Sequence, residues 1–321
     1  MYSLASFFAG VGGIDLGFEQ TGCVETVYAN ENDRYPAQTF ELNFPIGVTR
    51  RDIRCLRAAE VPDADIFAGG FPCQPFSIAG RREGFKDANG RGTLFFEFLR
   101  IISDKKPRVI FLENVKALAT HNSGDTLRAI LDALKSAGYY CTWRVINAMD
   151  TGNTPQNRER IYIVGFREEK DYEKFSFPTP TPLRVKLSDI IDFEGKTEDK
   201  YYYTPGKYKG NIYSELARSV TDSDTVYQWR RWYVRANKKN VVPTLTANMG
   251  GGGHNVPLIL TKHGIRKLTP RECFNAQGFS KDFRLPAQSD SRLYKQAGNS
   301  VCVNLVRRIA ENIVKAIDSS Q

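Results

Sequence analysis

Cys73 stands in Gly69-Gly70-Phe71-Pro72-Cys73-Gln74-Pro75-Phe76-Ser77, a Gly/Pro loop without the apolar periodicity of a core segment. Arg81, Arg82 and Lys86 follow it. Basic neighbours raise a thiol's thiolate fraction, so these residue types suit nucleophilic catalysis. Glu113 closes the apolar run Val109-Ile110-Phe111-Leu112. A carboxyl half-buried at such a place can carry and donate a proton near neutrality. In Gln156-Asn157-Arg158-Glu159-Arg160, strand alternation would turn Arg158 and Arg160 to one face. The fourth constellation is Phe7-Phe8-Ala9-Gly10-Val11-Gly12-Gly13-Ile14-Asp15, a strand, a glycine turn and a helix start. Glycines there permit positive φ and a close ligand approach. A dinucleotide fingerprint from Gly10 would need glycine where Asp15 stands, so a nucleoside is the better fit. Asn30-Glu31-Asn32 follows the next strand, where an acid can grip ribose hydroxyls.

These residues need a scaffold that gathers them. Short apolar runs at 4–8, 26–29, 65–68, 109–113, 142–148 and 161–166 read as strands. Helical patterns lie between several of them, clearest at 94–102 and 126–137. Strands alternating with crossover helices predict an α/β domain with a doubly wound, mostly parallel sheet. Ligands bind at the carboxyl ends of such strands, where the motifs fall. Phe177-Pro178-Thr179-Pro180-Thr181-Pro182 marks an exit from this domain. Beyond it the helical pattern is weak until about residue 299. There Asn299-Ser300 is expected to cap a helix with Val303, Val306, Ile309, Ala310, Ile313 and Ile317 inward.

Charge divides the chain in the same way. Residues 1–177 carry 22 Lys and Arg against 23 Asp and Glu, whereas residues 178–321 carry 23 against 13. The net +9 therefore belongs to the second part, where Tyr227-Gln228-Trp229-Arg230-Arg231-Trp232-Tyr233-Val234-Arg235 interleaves bases with aromatics. That pattern favours a polyanion partner. The six cysteines form no C-x-x-C pair and the three histidines no zinc spacing, so neither a disulfide framework nor a metal is expected. No run approaches the roughly 20 apolar residues of a membrane span, and a signal peptide is not expected, which points to the cytoplasm.

Taken in order, the motifs resemble those of the S-adenosylmethionine-dependent DNA cytosine C5-methyltransferases, in particular the minimal enzymes of bacterial restriction–modification systems. Phe8-x-Gly10-x-Gly12 resembles the cofactor loop and Pro72-Cys73-Gln74 the catalytic loop. Glu113-Asn114-Val115 and Gln156-x-Arg158-x-Arg160 resemble the base-binding motifs. Arg266-Lys267-Leu268-Thr269-Pro270-Arg271-Glu272-Cys273 and Gly298-Asn299-Ser300-Val301 resemble the last two. Six such matches in order span nearly the whole chain.

The resemblance implies a Rossmann-like methyltransferase fold in residues 1–177 plus 296–321. It also implies a smaller, irregular or β-rich domain at 178–295, with target recognition at about 178–265. It makes Cys73, Glu113, Arg158 and Arg160 catalytic: Cys73 attacks C6, protonated Glu113 quenches charge at N3, Arg160 holds O2, and Arg158 supports the thiolate. S-adenosyl-L-methionine, leaving as S-adenosyl-L-homocysteine, would meet Phe8, Ala9, Gly10, Gly12, Gly13, Glu31, Asn32, Asp52, Ile53, Pro72, Asn299 and Ser300. The implied partner is double-stranded DNA, met by Ser77, Arg81, Arg82 and Arg91 of the catalytic loop and by Thr244 and Gly251 of the recognition domain. Gln228, Arg230, Arg231 and Arg235 suit bidentate base contacts, Arg to guanine and Gln to adenine. A monomer, without metal or membrane and with a restriction endonuclease acting separately, completes the expectation.

Two other readings stay open at this point: a tRNA cytosine methyltransferase of the same family, and an inactive DNA-binding regulator. The basic, Gln/Arg/Trp-rich second domain favours DNA. Intact Cys73, Glu113, Arg158 and Arg160 favour an enzyme. If residues 201–300 supply the phosphate contacts, duplex affinity should fall steeply with salt, by a log–log slope of about −0.9 per neutralised phosphate. An Ala substitution at a phosphate-contacting Lys or Arg should reduce that slope by about one on all duplexes alike, as a salt series of binding titrations would show.

Overall fold

The computed structural model describes residues 1–72, 94–208, 211–230, 233–237, 240–251 and 255–320. Strands and helices alternate first: β1 (Tyr2–Phe7), α1 (Gly13–Glu19), β2 (Val24–Asn30), α2 (Arg34–Asn43), β3 (Val48–Thr49) and β4 (Ile66–Gly69). Then come α3 (Leu94–Lys105), β5 (Val109–Val115), α4 (Asp125–Ser136) and β6 (Tyr140–Asn147). A short α5 (Ala148–Thr151) and β7 (Gln156–Asn157) precede β8 (Glu159–Phe166) and α6 (Glu169–Lys174). The basic region holds α7 (Leu187–Ile190), α8 (Ile212–Ser219), β9 (Tyr227–Arg230), β10 (Tyr233–Ala236), β11 (Val242–Pro243), β12 (Leu258–Thr261) and β13 (Gly264–Lys267). Next are α9 (Pro270–Asn275), α10 (Asp290–Asn299) and α11 (Val303–Asp318).

The chain forms two compact units. The first comprises Met1–Ile146, Glu159–Pro178 and Val306–Gln321, and the second Asn147–Arg158 and Thr179–Leu305. A seven-stranded sheet in the order β3-β2-β1-β4-β5-β8-β6 forms the first unit. Pairs β1–β2, β1–β4, β2–β3 and β4–β5 are parallel, and β5–β8 is antiparallel. Continuous apolar runs build its centre because a parallel strand is covered on both faces; all of β4 and all but the last residue of β5 are buried. Phe95, Phe98, Ile101 and Ile102 of α3 and Leu127, Ile130 and Leu134 of α4 join Phe7, Phe67 and Ile110 in one cluster. Their spacing of three to four residues is that of a helix with one apolar face.

The final helix buries Val306, Ile309, Ala310, Ile313 and Ile317 as its periodicity predicts. Its expected cap is corrected. Asn299 is the last residue of α10, and extended Ser300 (φ −72°, ψ 171°) ends that helix rather than starting the next. The polar run Asp290-Ser291-Arg292 hides α10 from a hydrophobicity reading, although Leu293, Tyr294 and Ala297 bury one face.

The second unit has an antiparallel sheet, β10-β9-β12-β13. Tyr203, Leu216, Val220, Tyr227, Leu258 and Ile265 form a small core, with Trp229 and Val234 packed against it. Arg266, fully buried, sends two nitrogens to Glu272 at 2.7 and 2.8 Å, and Glu272 caps α9 through Thr269. Residues 147–158 belong with this unit through Gln156 and Arg158, described below.

One buried carboxyl has a measurable consequence. Asp15 is inaccessible, and its Oδ2 accepts from Ser6 Oγ at 3.1 Å. Among the described residues its Oδ1 has no hydrogen-bond partner. Burial pushes its pKa up to about 7. With a folded pKa above the unfolded one, its contribution is complete below about pH 4 and is lost as pH rises through about 7. Asp15→Asn should therefore gain on wild type between about pH 4.5 and 8, by about 3 kcal/mol. Urea unfolding at both pH values measures that difference, and a constant gap between the proteins would refute it.

Candidate active site and nucleic-acid interface

Register brings four distant segments level at one edge of the first unit's sheet. Phe7 lies beside Asn30 and Gly69, and Gly69 beside Leu112. The residues that follow are Phe8, Glu31, Gly70 and Glu113. Phe8 takes a left-handed backbone, φ 53°, and its ring meets Phe98 edge-on at 6.3 Å. Ala9 N donates to Asn30 O at 3.0 Å, and Gly12 N to Ala9 O at 2.9 Å. Gly12, at φ 85°, precedes Gly13 at the start of α1. A Cβ on Gly12 would fall 2.2 Å from the Phe44 ring, so the turn admits only glycine.

Glu31 latches this loop. Its Oε2 accepts from Gly10 N at 2.9 Å and its Oε1 from Asp33 N at 2.7 Å. Burial pushes its pKa up, against these amide bonds that favour the carboxylate. Asn30 Nδ2 donates to the carbonyls of Thr49 and Arg51, both at 2.8 Å, and so fixes the approach to Asp52. The Arg54 guanidinium, 2.6 Å from Asp52, and the Arg54 amide hold the Asp52 carboxyl below its usual range. Ile53 is buried, whereas Asn32 and Pro72 are exposed. Vicinal hydroxyls suit Glu31, an amino group suits Asp52, and a flat base suits the Phe8 ring. Two acceptors and a ring of this kind fit an adenosine.

At the next strand end, Arg160 Nε lies 3.2 Å from Glu113 Oε1, and both side chains are largely buried. The antiparallel β8 makes this possible, since Glu113 pairs with Tyr162 and Val115 with Arg160. Arg160 thus enters its strand where β5 ends. A Cβ on Gly70 would lie 3.5 Å from Glu113 Oε2, in ordinary van der Waals contact, so the Gly70 backbone runs beside that carboxyl. Buried Asn114 donates from Nδ2 to Phe71 O at 2.9 Å and holds the backbone before Pro72. Cys73, Ser77, Arg81, Arg82 and Arg91 lie outside the described residues, as does Arg231.

Arg158 has other partners. Its NH1 donates to Leu245 O at 2.9 Å, and its NH2 to Gly298 O at 3.2 Å and Ser300 O at 2.5 Å. It stands between β7 and β8 rather than inside a strand, so the expected face-sharing with Arg160 does not apply. Gln156 Nε2 donates to Ala276 O at 2.7 Å, and its Oε1 accepts from Leu245 N at 3.2 Å. Asn299 is exposed and Ser300 buried in the second unit.

In the β9–β10 hairpin Gln228 faces Arg235 across the strands and Arg230 faces Tyr233. Alternation puts these four on one face. Trp229 and Val234 turn the other way, to the core. Arg230 donates to Gln228 Oε1 at 3.1 Å. Thr244 Oγ1 donates to Asn157 O at 2.6 Å, and Gly251 is exposed. Tyr233, more than half exposed, escaped the sequence reading, although its alternation with Arg235 was visible. Gln156 and Asn114 were within recognised motifs, but their bonds to distant backbone leave no local trace. Among the described residues no three His, Cys, Asp or Glu side chains could hold a metal ion.

The sequence profile of the C-5 cytosine-specific DNA methylases matches residues 2–315. Over 317 residues the chain is 57% identical to the type II methyltransferase M.Bsp6I of Bacillus sp. strain RFL6, covering 99% of this chain and 100% of that one. It is 38% identical over 323 residues to the type II methyltransferase M.SsoII of Shigella sonnei, covering 99% and 81%. Among solved structures, a DNMT2 mutant of Spodoptera frugiperda matches with TM-score 0.74 and 20% identity, over 98% of this chain and 100% of that one. The last likeness is one of fold.

Arg158→Ala would remove buried donors from Leu245, Gly298 and Ser300. A loss of about 2–5 kcal/mol in unfolding free energy is expected, because buried acceptors lose charged donors together. Urea titration of the variant checks it, and a loss below about 1 kcal/mol would show that the carbonyls find other partners.

Proposed function

The chain belongs to the C-5 cytosine-specific DNA methylase family, and from that premise we propose a site-specific type II enzyme that methylates C5 of a cytosine flipped out of duplex DNA through a Cys73–C6 bond. The observation that carries this reading is the Glu113–Arg160 pair at the carboxyl edge of the sheet, one strand from the segment leading to Cys73. Flipping is required because neither face of a stacked cytosine is open to a nucleophile.

Cytosine C5 is a weak nucleophile. Attack of the Cys73 thiolate on C6 forms an S–C6 bond, ends the ring's aromaticity and pushes electrons toward N3, which makes C5 enamine-like. Glu113 acts at N3, where its carboxyl proton meets the developing charge, and Arg160 donates to O2. Donation from Arg160 Nε to Glu113 Oε1, 3.2 Å away, keeps the carboxyl oriented as the base enters. When bound, S-adenosylmethionine supplies an electrophilic methyl group; Phe8, Glu31 and Asp52 would hold its adenosine. Return of the N3 proton to Glu113, loss of the C5 proton to a base and expulsion of the Cys73 thiolate restore the aromatic ring.

DNA contacts are assigned to Gln228, Arg230, Arg235, Thr244 and Gly251 in the second unit, with Arg231 beside them in sequence. Target recognition is placed at about residues 178–265, within the smaller domain at 178–295. Relatives named type II methyltransferases point to a restriction endonuclease with the same site, acting separately in the cytoplasm.

Bisulfite sequencing of plasmid and tRNA from cells expressing the protein tests the reaction and its substrate together. Wild type should mark one cytosine within one short DNA sequence. Cys73→Ser should leave the site unmarked yet still bind the duplex, and only wild type should be trapped by duplexes containing 5-fluorocytosine. Marks on tRNA alone, or an active Cys73→Ser protein, would overturn the proposal.

A further inference from the structure

Tyr294 and Gly298 of α10 are four residues apart and share one face of the helix. The backbone of residues 246–250 lies against that face. A Cβ on Gly298 would fall 2.1 Å from Thr246 O and 2.7 Å from Ala247 N, so helix and loop meet main chain to main chain. On Gly250, at φ 77°, it would fall 2.5 Å from Cδ2 of Tyr294. The Tyr294 ring is itself fixed. Its hydroxyl donates to Leu268 O at 2.5 Å, and the Lys267 ammonium lies 5.6 Å from its centre.

The loop is also held at its start, by Arg158 on Leu245 O and Gln156 on Leu245 N. Leu245 and Met249 are buried anchors, whereas Thr246, Asn248 and Gly251 are exposed. Met249 N donates to Thr246 O at 3.1 Å. The carbonyl that touches Gly298 therefore also closes the turn that carries the exposed side chains. Any push at Gly298 moves Thr246 and Asn248 together.

We infer that Tyr294 and Gly298 are positioning residues that set how residues 246–251 approach DNA, and so determine sequence discrimination. The inference rests on the DNA-methylating function proposed above. Hydrogen bonds to base edges weaken steeply outside a narrow range of distance and angle. A rigid backbone seat supplies that precision without touching DNA itself. No side chain fits at Gly298, and the Tyr294 ring fills the space that glycine leaves at Gly250.

The test uses the full chain as wild type, Gly298→Ala, Tyr294→Leu and Tyr294→Phe. Steady-state methylation is measured on the cognate duplex and on duplexes altered at one base pair, with calorimetric titration of S-adenosylhomocysteine alongside. Gly298→Ala and Tyr294→Leu should raise KM for the duplex about tenfold and shrink the cognate-to-altered ratio of kcat/KM, with kcat within about threefold. Affinity for S-adenosylhomocysteine should stay within about twofold, and Tyr294→Phe, which keeps the ring, should resemble wild type. An unchanged ratio would overturn the inference, as would a loss of S-adenosylhomocysteine affinity as large as the loss on DNA. If Gly298→Ala does not fold, the two Tyr294 variants decide alone. Wild type inactive on every duplex would instead sink the proposed function, before any variant is compared.

Discussion

Parallel strands in register impose the constraint on which the first unit depends. Phe7, Asn30, Gly69 and Leu112 lie in one row because β1, β2, β4 and β5 run the same way and pair without offset there. Every chain segment that leaves the row begins at the same edge, so a glycine turn and the carboxyls of Glu31 and Glu113 gather there. The reversal of β8 against β5 adds what parallel strands cannot. Since β8 runs against β5, its first residues rather than its last reach that edge, and Arg160 meets Glu113 there.

The second unit achieves precision differently. Its sheet is small, and buried guanidinium groups hold segments that have little regular structure. Arg266 is balanced by the Glu272 carboxylate, and Arg158 donates to the carbonyls of Leu245, Gly298 and Ser300. A buried cation is tolerable only with such bonds. The geometry of the loop is consequently tied to few atoms.

Much of this was legible in residue order. The apolar runs that became β1, β4, β5 and β8 are nearly uninterrupted, as strands buried on both faces require. The Gly10–Gly12 turn was visible because its left-handed φ values favour glycine. Helix α10 was not, since its buried face is narrow and its first turn polar. Nor was the separation of Arg158 from Arg160: alternation assumes a continuous strand, and the chain breaks between β7 and β8. Trp229 and Arg230 are neighbours in sequence, and only the pairing of β9 with β10 and β12 turned one inward and the other out.

By itself, the sequence determined the inventory of groups and its order: a cysteine among glycines and prolines, an acid at the end of an apolar run, glycines before a helix and an excess of positive charge in the second half. Those follow from local chemistry, which residue types and short spacings carry. Tertiary structure alone decided which partner each group has. Arg160 reaches Glu113 over 47 positions of chain and Arg158 reaches Gly298 over 140. Such distances close only when strands pair and a helix packs, because the free energy that closes them comes from burial elsewhere in the fold.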